Sequence, residues 1–298
     1  MDIKSFIKLI IPPVVPILYR KIRYAGKKVI ALQESPLPQF EHHSNKMIII
    51  GNGPSLKQSI DKYKDEILSY DRIAVNFFAS SDLFEIIKPN IYVFADPAFF
   101  DVPENKRNSI EALFDNLVRK TQWPMRMIIP LSARGALSLS RIQKNGNIII
   151  DYYFNWIQDV GELTKYEAWD KNLIGPPAQN VLNVAVYLSL YWGYKETYLI
   201  GADSSFLEDL RVDQETNDLF TIDTHFYDNK SVIREKTLFN AKQGRIMSEW
   251  TLFGLIYAYG KMFEGYYELK EYADYKGLKV YNASEYSWIN VFERKKLK

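Results

Sequence analysis

The sequence predicts an α/β protein: a doubly wound, mostly parallel sheet flanked by helices, with a small lid segment. Three observations carry that expectation. From residue 47 onward, short apolar runs alternate with helical segments, the pattern that links parallel strands through crossovers. The runs are almost continuously apolar, as strands buried on both faces are. Five of them end in small polar residues, at the edge where open parallel sheets hold ligands.

Met47, Ile48, Ile49 and Ile50 form the first strand. Gly51, Asn52, Gly53 and Pro54 turn the chain, and Ser55 is placed to cap a helix entered at residues 56–60. Strand, glycine turn and helix N-terminus together predict an anion site, with amides facing outward and a dipole favouring phosphate. Gly51 and Gly53 would let a nucleotide approach closely, and Asn52 adds a side-chain amide. The turn is neither a Walker loop nor GxGxxG, and a plain turn without ligand is the competing reading. Further strands are expected at 73–75, ending at Asn76; at 91–94, ending at Asp96; at 127–129 and 148–150; at 196–200, ending at Asp203; and at 278–281, ending at Asn282 and Ser284. Helices are expected at 110–119, 178–192 and 245–269, the second apolar on most faces and therefore buried. Residues 208–228 are polar and acidic without periodicity, and 208–235 are expected to act as a lid on the acceptor side. Asn52, Ser55, Asn76, Asp96, Asp203, Ser204, Ser205, Asn282 and Ser284 would then share one nucleotide cleft.

Charge divides the chain. Residues 1–28 hold seven basic side chains and one acidic, +6, while the other 270 hold 31 basic and 35 acidic, −4. A nucleic-acid binder would carry its basic charge across the domain, so no nucleic-acid partner is expected. The apolar run at 9–18 is too short to span a bilayer and is broken by Pro12, Pro13 and Pro16. Residues 1–30 therefore read as an interfacial arm on an anionic inner leaflet, placing the protein in the cytoplasm at the inner membrane. An arm packed on its own domain, or on a second subunit of a homo-oligomer, is the alternative. Residues 31–45 read as a linker and 46–298 as the catalytic domain. The absence of cysteine excludes thiolate chemistry and cysteine-bound zinc, and suits a reducing compartment.

Of three histidines, His42 and His43 fall in the linker, leaving His225 as the candidate imidazole base, with Asp223 and Asp228 near enough in sequence to orient it. A purely structural histidine is the competing reading. No D-x-D occurs. That argues against a metal-held nucleoside diphosphate and fits a nucleoside monophosphate leaving group, so no metal or other cofactor is expected.

IIIGNGPSLK, then Asn76-Phe77-Phe78, then Asp96-Pro97-Ala98-Phe99-Phe100 resemble the bacterial sialyltransferases of glycosyltransferase family 42. The resemblance resumes at residues 193–203, at Thr224-His225-Phe226-Tyr227 and at 279–292. It implies a Rossmann-like, GT-A-like domain that transfers a sialic-acid-like or Kdo-like sugar from a CMP-activated donor, with inversion. The acceptor would be a glycan, free or lipid-linked, in surface polysaccharide or lipooligosaccharide assembly. It further implies donor contacts from Gly51, Asn52, Gly53 and Ser55, places Asn76 and Asp96 beside nucleotide and sugar, assigns Asn282 and Ser284 to the nucleotide, and matches His225 to the general base. The sequence departs from the family at Ser204, Ser205 and Phe206, where tyrosines are usual, and at residues 178–183, which leaves the donor sugar open. GNGPSL is also similar to archaeal pterin pyrophosphokinases. An ATP-dependent pyrophosphokinase with Mg²⁺ on Asp96, Asp203 and Asp223 is the second reading, and a membrane-docked nucleotide-binding scaffold the third.

Overall fold

The structure, a computed structural model, describes residues 37–154, 164–176, 179–223, 226, 234–239 and 251–298. In chain order it holds β1 (Lys46–Ile50), α1 (Leu56–Ser69), β2 (Asp71–Val75), α2 (Leu83–Ile87), β3 (Ile91–Val93), α3 (Arg107–Lys120), β4 (Met125–Pro130), α4 (Leu139–Ile142) and β5 (Ile148–Tyr153). There follow α5 (Lys165–Asp170), α6 (Val181–Tyr191), β6 (Glu196–Ile200), β7 (Leu210–Val212), β8 (Leu219–Asp223), β9 (Arg234–Phe239), α7 (Leu252–Lys276), β10 (Lys279–Asn282) and β11 (Glu293–Arg294).

Eight strands form one sheet in the order β11-β10-β6-β1-β2-β3-β4-β5, with every pairing parallel. The chain steps outward from β1 to β5, then re-enters at β6 on the other flank of β1. The winding therefore reverses between β1 and β6, where the connections leave in opposite directions and open a crevice. Strand residues alternate between two cores. Met47, Ile49, Ile73, Val75, Ile91 and Val93 pack with α6 and α7. Ile48, Ile50, Ala74, Tyr92 and Met127 pack with Leu56 and Ile60 of α1 and Leu113 and Leu117 of α3. This is the doubly wound sheet that the continuously apolar runs predict, since a strand covered on both faces has no polar side.

Helix α6 is buried from Val181 to Leu190, as its all-round apolar character requires. Asn180 caps it by accepting from the Asn183 N–H, and ties it to α7 by donating to the Tyr266 hydroxyl (3.1 Å). Helix α7 starts seven residues later than expected. The Thr251 Oγ1 accepts from the Gly254 N–H at its start, and Gly277, at φ +68°, ends it. The cap residue, not the apolar pattern, sets the entry point; residues 245–250 lie outside those described.

The second sheet was not anticipated. Strands β7, β8 and β9 pair antiparallel within and just beyond the segment read as aperiodic. β7 is three residues long and partly exposed throughout, so it carries no apolar alternation to detect. Residues 37–45, expected within the linker, pack on the domain. Leu37 is buried, its carbonyl accepts from the Tyr191 hydroxyl, His42 stacks on Tyr194, and the backbone N–H groups of His43 and Ser44 donate to the buried Asp71. The arm at 1–30 and residues 31–36 lie outside the described residues. Among those described, no helix is long and apolar enough to cross a membrane.

Candidate functional site

The polar residues singled out in sequence fall at the carboxyl ends of β10, β6, β1, β2 and β3, which are five adjacent strands. The crevice between β1 and β6 lies in their middle. Its floor is built by the two glycine turns. The Gly51 N–H donates to the Ile200 carbonyl and the Gly53 N–H to the Gly201 carbonyl, both at 2.8 Å. A Cβ on Gly51 would overlap the Gly201 carbonyl oxygen, and one on Gly53 would overlap the Asp203 carboxylate. Here the structure differs from the expected phosphate cradle. The two glycines answer a close approach of protein to protein, and their amides face β6 rather than outward.

Ser55 differs in the same way. Its side chain makes no capping bond to α1. Instead the Asp203 carboxylate sits at the N-terminus of α1, accepting from the Ser55 N–H (3.0 Å) and the Ser55 Oγ (2.6 Å). The anion that the helix dipole favours is thus a side chain of the protein itself. Asp203 is 5% exposed. Burial raises its pKa above the ordinary carboxylate value, opposed by the Ser55 bonds. A carboxylate raised on folding contributes stability that is full below the unfolded pKa and is lost as pH climbs through the folded one. The stability of the parent relative to Asp203→Asn is therefore expected to fall as pH rises from about 3 toward 7, read as melting temperature against pH for both proteins. Parallel curves would show that Asp203 ionises without penalty.

Asn52 and Asn76 follow the adjacent strands β1 and β2. The Asn52 Nδ2 donates to the Val75 carbonyl (3.0 Å), bridging β1 to β2, while its buried Oδ1 has no partner among the described residues. The buried Oδ1 of Asn76 is likewise unpartnered. Asn76 is held at φ +48°, and Ser204, on the far side of the crevice, at φ +51°. Left-handed backbone costs a residue with a Cβ about 1 kcal/mol or more, and such residues gather at binding sites. Tyr92 holds the turn at Asn76 by donating to its carbonyl (2.5 Å) while accepting from the Ala79 N–H. Ser204 is buried and its hydroxyl has no partner among the described residues, while burial pushes the pKa of the Tyr266 phenol up to about 12.

The remaining residues are more self-contained. Asp96 is exposed and accepts from the Ala98 N–H (2.9 Å), capping a short turn. Asn282 donates to Ser287 Oγ and the Ile289 carbonyl and accepts from the Ser284 N–H; Ser284 Oγ accepts from the Ala202 N–H and donates to the Leu199 carbonyl. Both are buried and brace the β10 loop against β6. His225 lies outside the described residues, as do residues 227–233. Its neighbour Phe226 is described: the Phe226 N–H donates to the Asn52 carbonyl (3.3 Å) and its ring packs 5.9 Å from that of Phe78. Sequence reasoning missed Phe226, and also Glu208, Tyr286 and Trp288, which come together beyond β6 and β10. Two aromatics two residues apart, just after a strand-end Asn-Ala-Ser, were the signal available.

No protein-family model matches the chain, and no curated protein matches it. Among solved structures the chain is similar to the MAf glycosyltransferase of Magnetospirillum magneticum AMB-1, at 12% sequence identity and a TM-score of 0.49 over 90% of this chain. That match spans 37% of the length of the larger protein.

Proposed function

We propose that the protein is a glycosyltransferase that moves a sialic-acid-like or Kdo-like sugar from a CMP-activated donor to a glycan acceptor, with inversion, His225 serving as general base. The observation that carries this reading is made at Asn52. Its buried side-chain oxygen, at the carboxyl end of β1, has no partner among the described residues, and its carbonyl accepts from the N–H of Phe226, the residue after His225 in sequence. The unpartnered acceptor atoms of Asn52 and Asn76 suit hydrogen-bond donors, such as the cytosine amine or ribose hydroxyls, better than they suit phosphate oxygens. A nucleoside held by amide side chains fits a monophosphate leaving group that needs no metal to bind it. In this reading Asp203 and Ser204 border the sugar, Asp96 flanks the nucleotide side, and the β10 loop braced by Asn282 and Ser284 closes the other.

Asn52→Ala is expected to weaken CMP binding by about 1–3 kcal/mol, the cost of unpairing a buried polar group, with the fold retained by circular dichroism. Calorimetry with CMP, CDP and ATP, with and without Mg²⁺, separates the readings. Metal-independent CMP binding supports the transferase; ATP binding that requires Mg²⁺ favours a pyrophosphokinase; nucleotide binding without turnover favours a scaffold. Unchanged CMP affinity in Asn52→Ala would misplace the site. The arm at residues 1–28 is proposed to hold the enzyme on an anionic inner leaflet. Each basic residue near such a surface contributes about 1 kcal/mol, so deleting the arm should release the protein from phosphatidylserine vesicles and abolish the salt sensitivity of binding. Equal vesicle binding by both forms would assign the arm to a protein contact.

A further inference from the structure

We propose that the loops after β6 and β10 form a saccharide platform on which the ring faces of Tyr286 and Trp288 receive a pyranose ring of the acceptor. The proposal rests on the glycosyl-transfer reading of the crevice and names the acceptor side of that site.

The two loops are fastened together beside Asp203. The Trp288 N–H donates to the Asp203 carbonyl (2.8 Å) and Ser287 Oγ to the Ala202 carbonyl (2.6 Å). Glu208, from the β6 loop, then takes the polar edges of both rings on one oxygen: Oε1 accepts from the Tyr286 hydroxyl and from Trp288 Nε1 (3.0 Å). Nε1 and the Tyr286 hydroxyl also lie 2.9 Å apart. With these edges tied, Tyr286 is still 45% exposed and Trp288 38%. The surface left open is therefore largely ring carbon, held in place by a carboxylate. Phe206, two residues before Glu208 in the same loop and 43% exposed, stacks on Tyr259 of α7 at 5.5 Å and 12°.

A pyranose has one requirement for each part of this arrangement. Its C–H face is apolar and packs on aromatic carbon, while its hydroxyl rim needs acceptors. Glu208 is exposed, and its Oε2 takes neither of the two ring bonds. Fixed aromatic planes also lose little conformational freedom on binding. A nucleotide suits the place less well, because the Glu208 carboxylate would repel its phosphate. Position agrees with chemistry. In the order β10-β6-β1-β2, Asp203 and Ser204 lie between this platform and the unpartnered amides of Asn52 and Asn76. Acceptor and donor would thus approach the transfer point from opposite sides.

The test uses the full chain on an array of immobilised pyranose-terminated oligosaccharides in the presence of CMP, with CMP affinity measured separately by calorimetry. The parent is expected to bind a defined subset of glycans. Trp288→Ala and Tyr286→Ala should each lower that binding about 10- to 100-fold, the range that loss of an aromatic stacking face costs. Trp288→Phe should retain most of it, and CMP affinity should stay within about twofold in all three. The platform is overturned if the parent binds no glycan, or if Trp288→Ala binds the same glycans as tightly. It is overturned too if Trp288→Ala loses CMP affinity in step, which would give the rings to the nucleobase. Absence of CMP binding in the parent would instead remove the glycosyl-transfer reading, and the glycan result would still judge the platform.

Discussion

His225→Ala is expected to lower turnover about 10²–10⁴-fold, the usual contribution of a positioned general base. Transfer to a hydroxyl requires that its proton leave as the new glycosidic bond forms, and no other histidine lies C-terminal to residue 43. His42 stacks on Tyr194, and the backbone of His43 donates to Asp71, on the opposite edge of the sheet from the crevice, so neither can substitute. Donor binding should change little in the variant, because in the proposed mechanism a general base acts on the acceptor hydroxyl. The parent rate should fall as pH drops and the imidazole takes up a proton, and that acid limb should vanish in His225→Ala. A structural histidine would lose stability and CMP affinity together. A folded His225→Ala protein with near-parental turnover would end the mechanism while leaving the nucleotide site standing.

Gly51→Ala is expected to destabilise the protein by about 2–4 kcal/mol, at the upper end of overpacking in a close-packed core. The added methyl would run into the backbone carbonyl of Gly201, which has no rotamer to move away. Relieving the overlap means separating the β1 and β6 turns, and with them the Gly51-to-Ile200 and Gly53-to-Gly201 bonds. The turn at Gly201 is equally tight, since at φ +59° a Cβ there would run into Leu56 and the Gly51 carbonyl. Gly146→Ala is the control: nothing lies within 4 Å of the place its methyl would take, and its stability should stay within about 0.5 kcal/mol of the parent. Urea denaturation of the three proteins decides the matter. Equal midpoints for Gly51→Ala and the parent would show that the turns are not in the tight contact described.

Gly51→Ala also marks where reading the sequence stops. The glycines were legible as a sharp turn after a buried strand, and so were the six strands that build the centre of the sheet, because a strand covered on both faces must be apolar along its length. The crevice was legible for the same reason: small polar residues after such strands can lie only at the carboxyl edge. What those residues do there was not. Asp203 and Ser55 are 148 positions apart, and no local pattern says that the carboxylate of one fills the helix N-terminus headed by the other. The strands β7, β8 and β9 escaped notice because short antiparallel strands give too few positions to impose a period, and β7 is partly exposed throughout. Tyr286 and Trp288 became a candidate site only when the fold brought Glu208 to their polar edges, 78 and 80 positions away. Apolar periodicity, a local property, was enough to determine the layers of this protein and the edge at which its small polar residues gather. Which polar groups satisfy one another, and which remain open to a ligand, was decided by tertiary structure alone, because a hydrogen bond depends on positions in space that sequence separation does not encode.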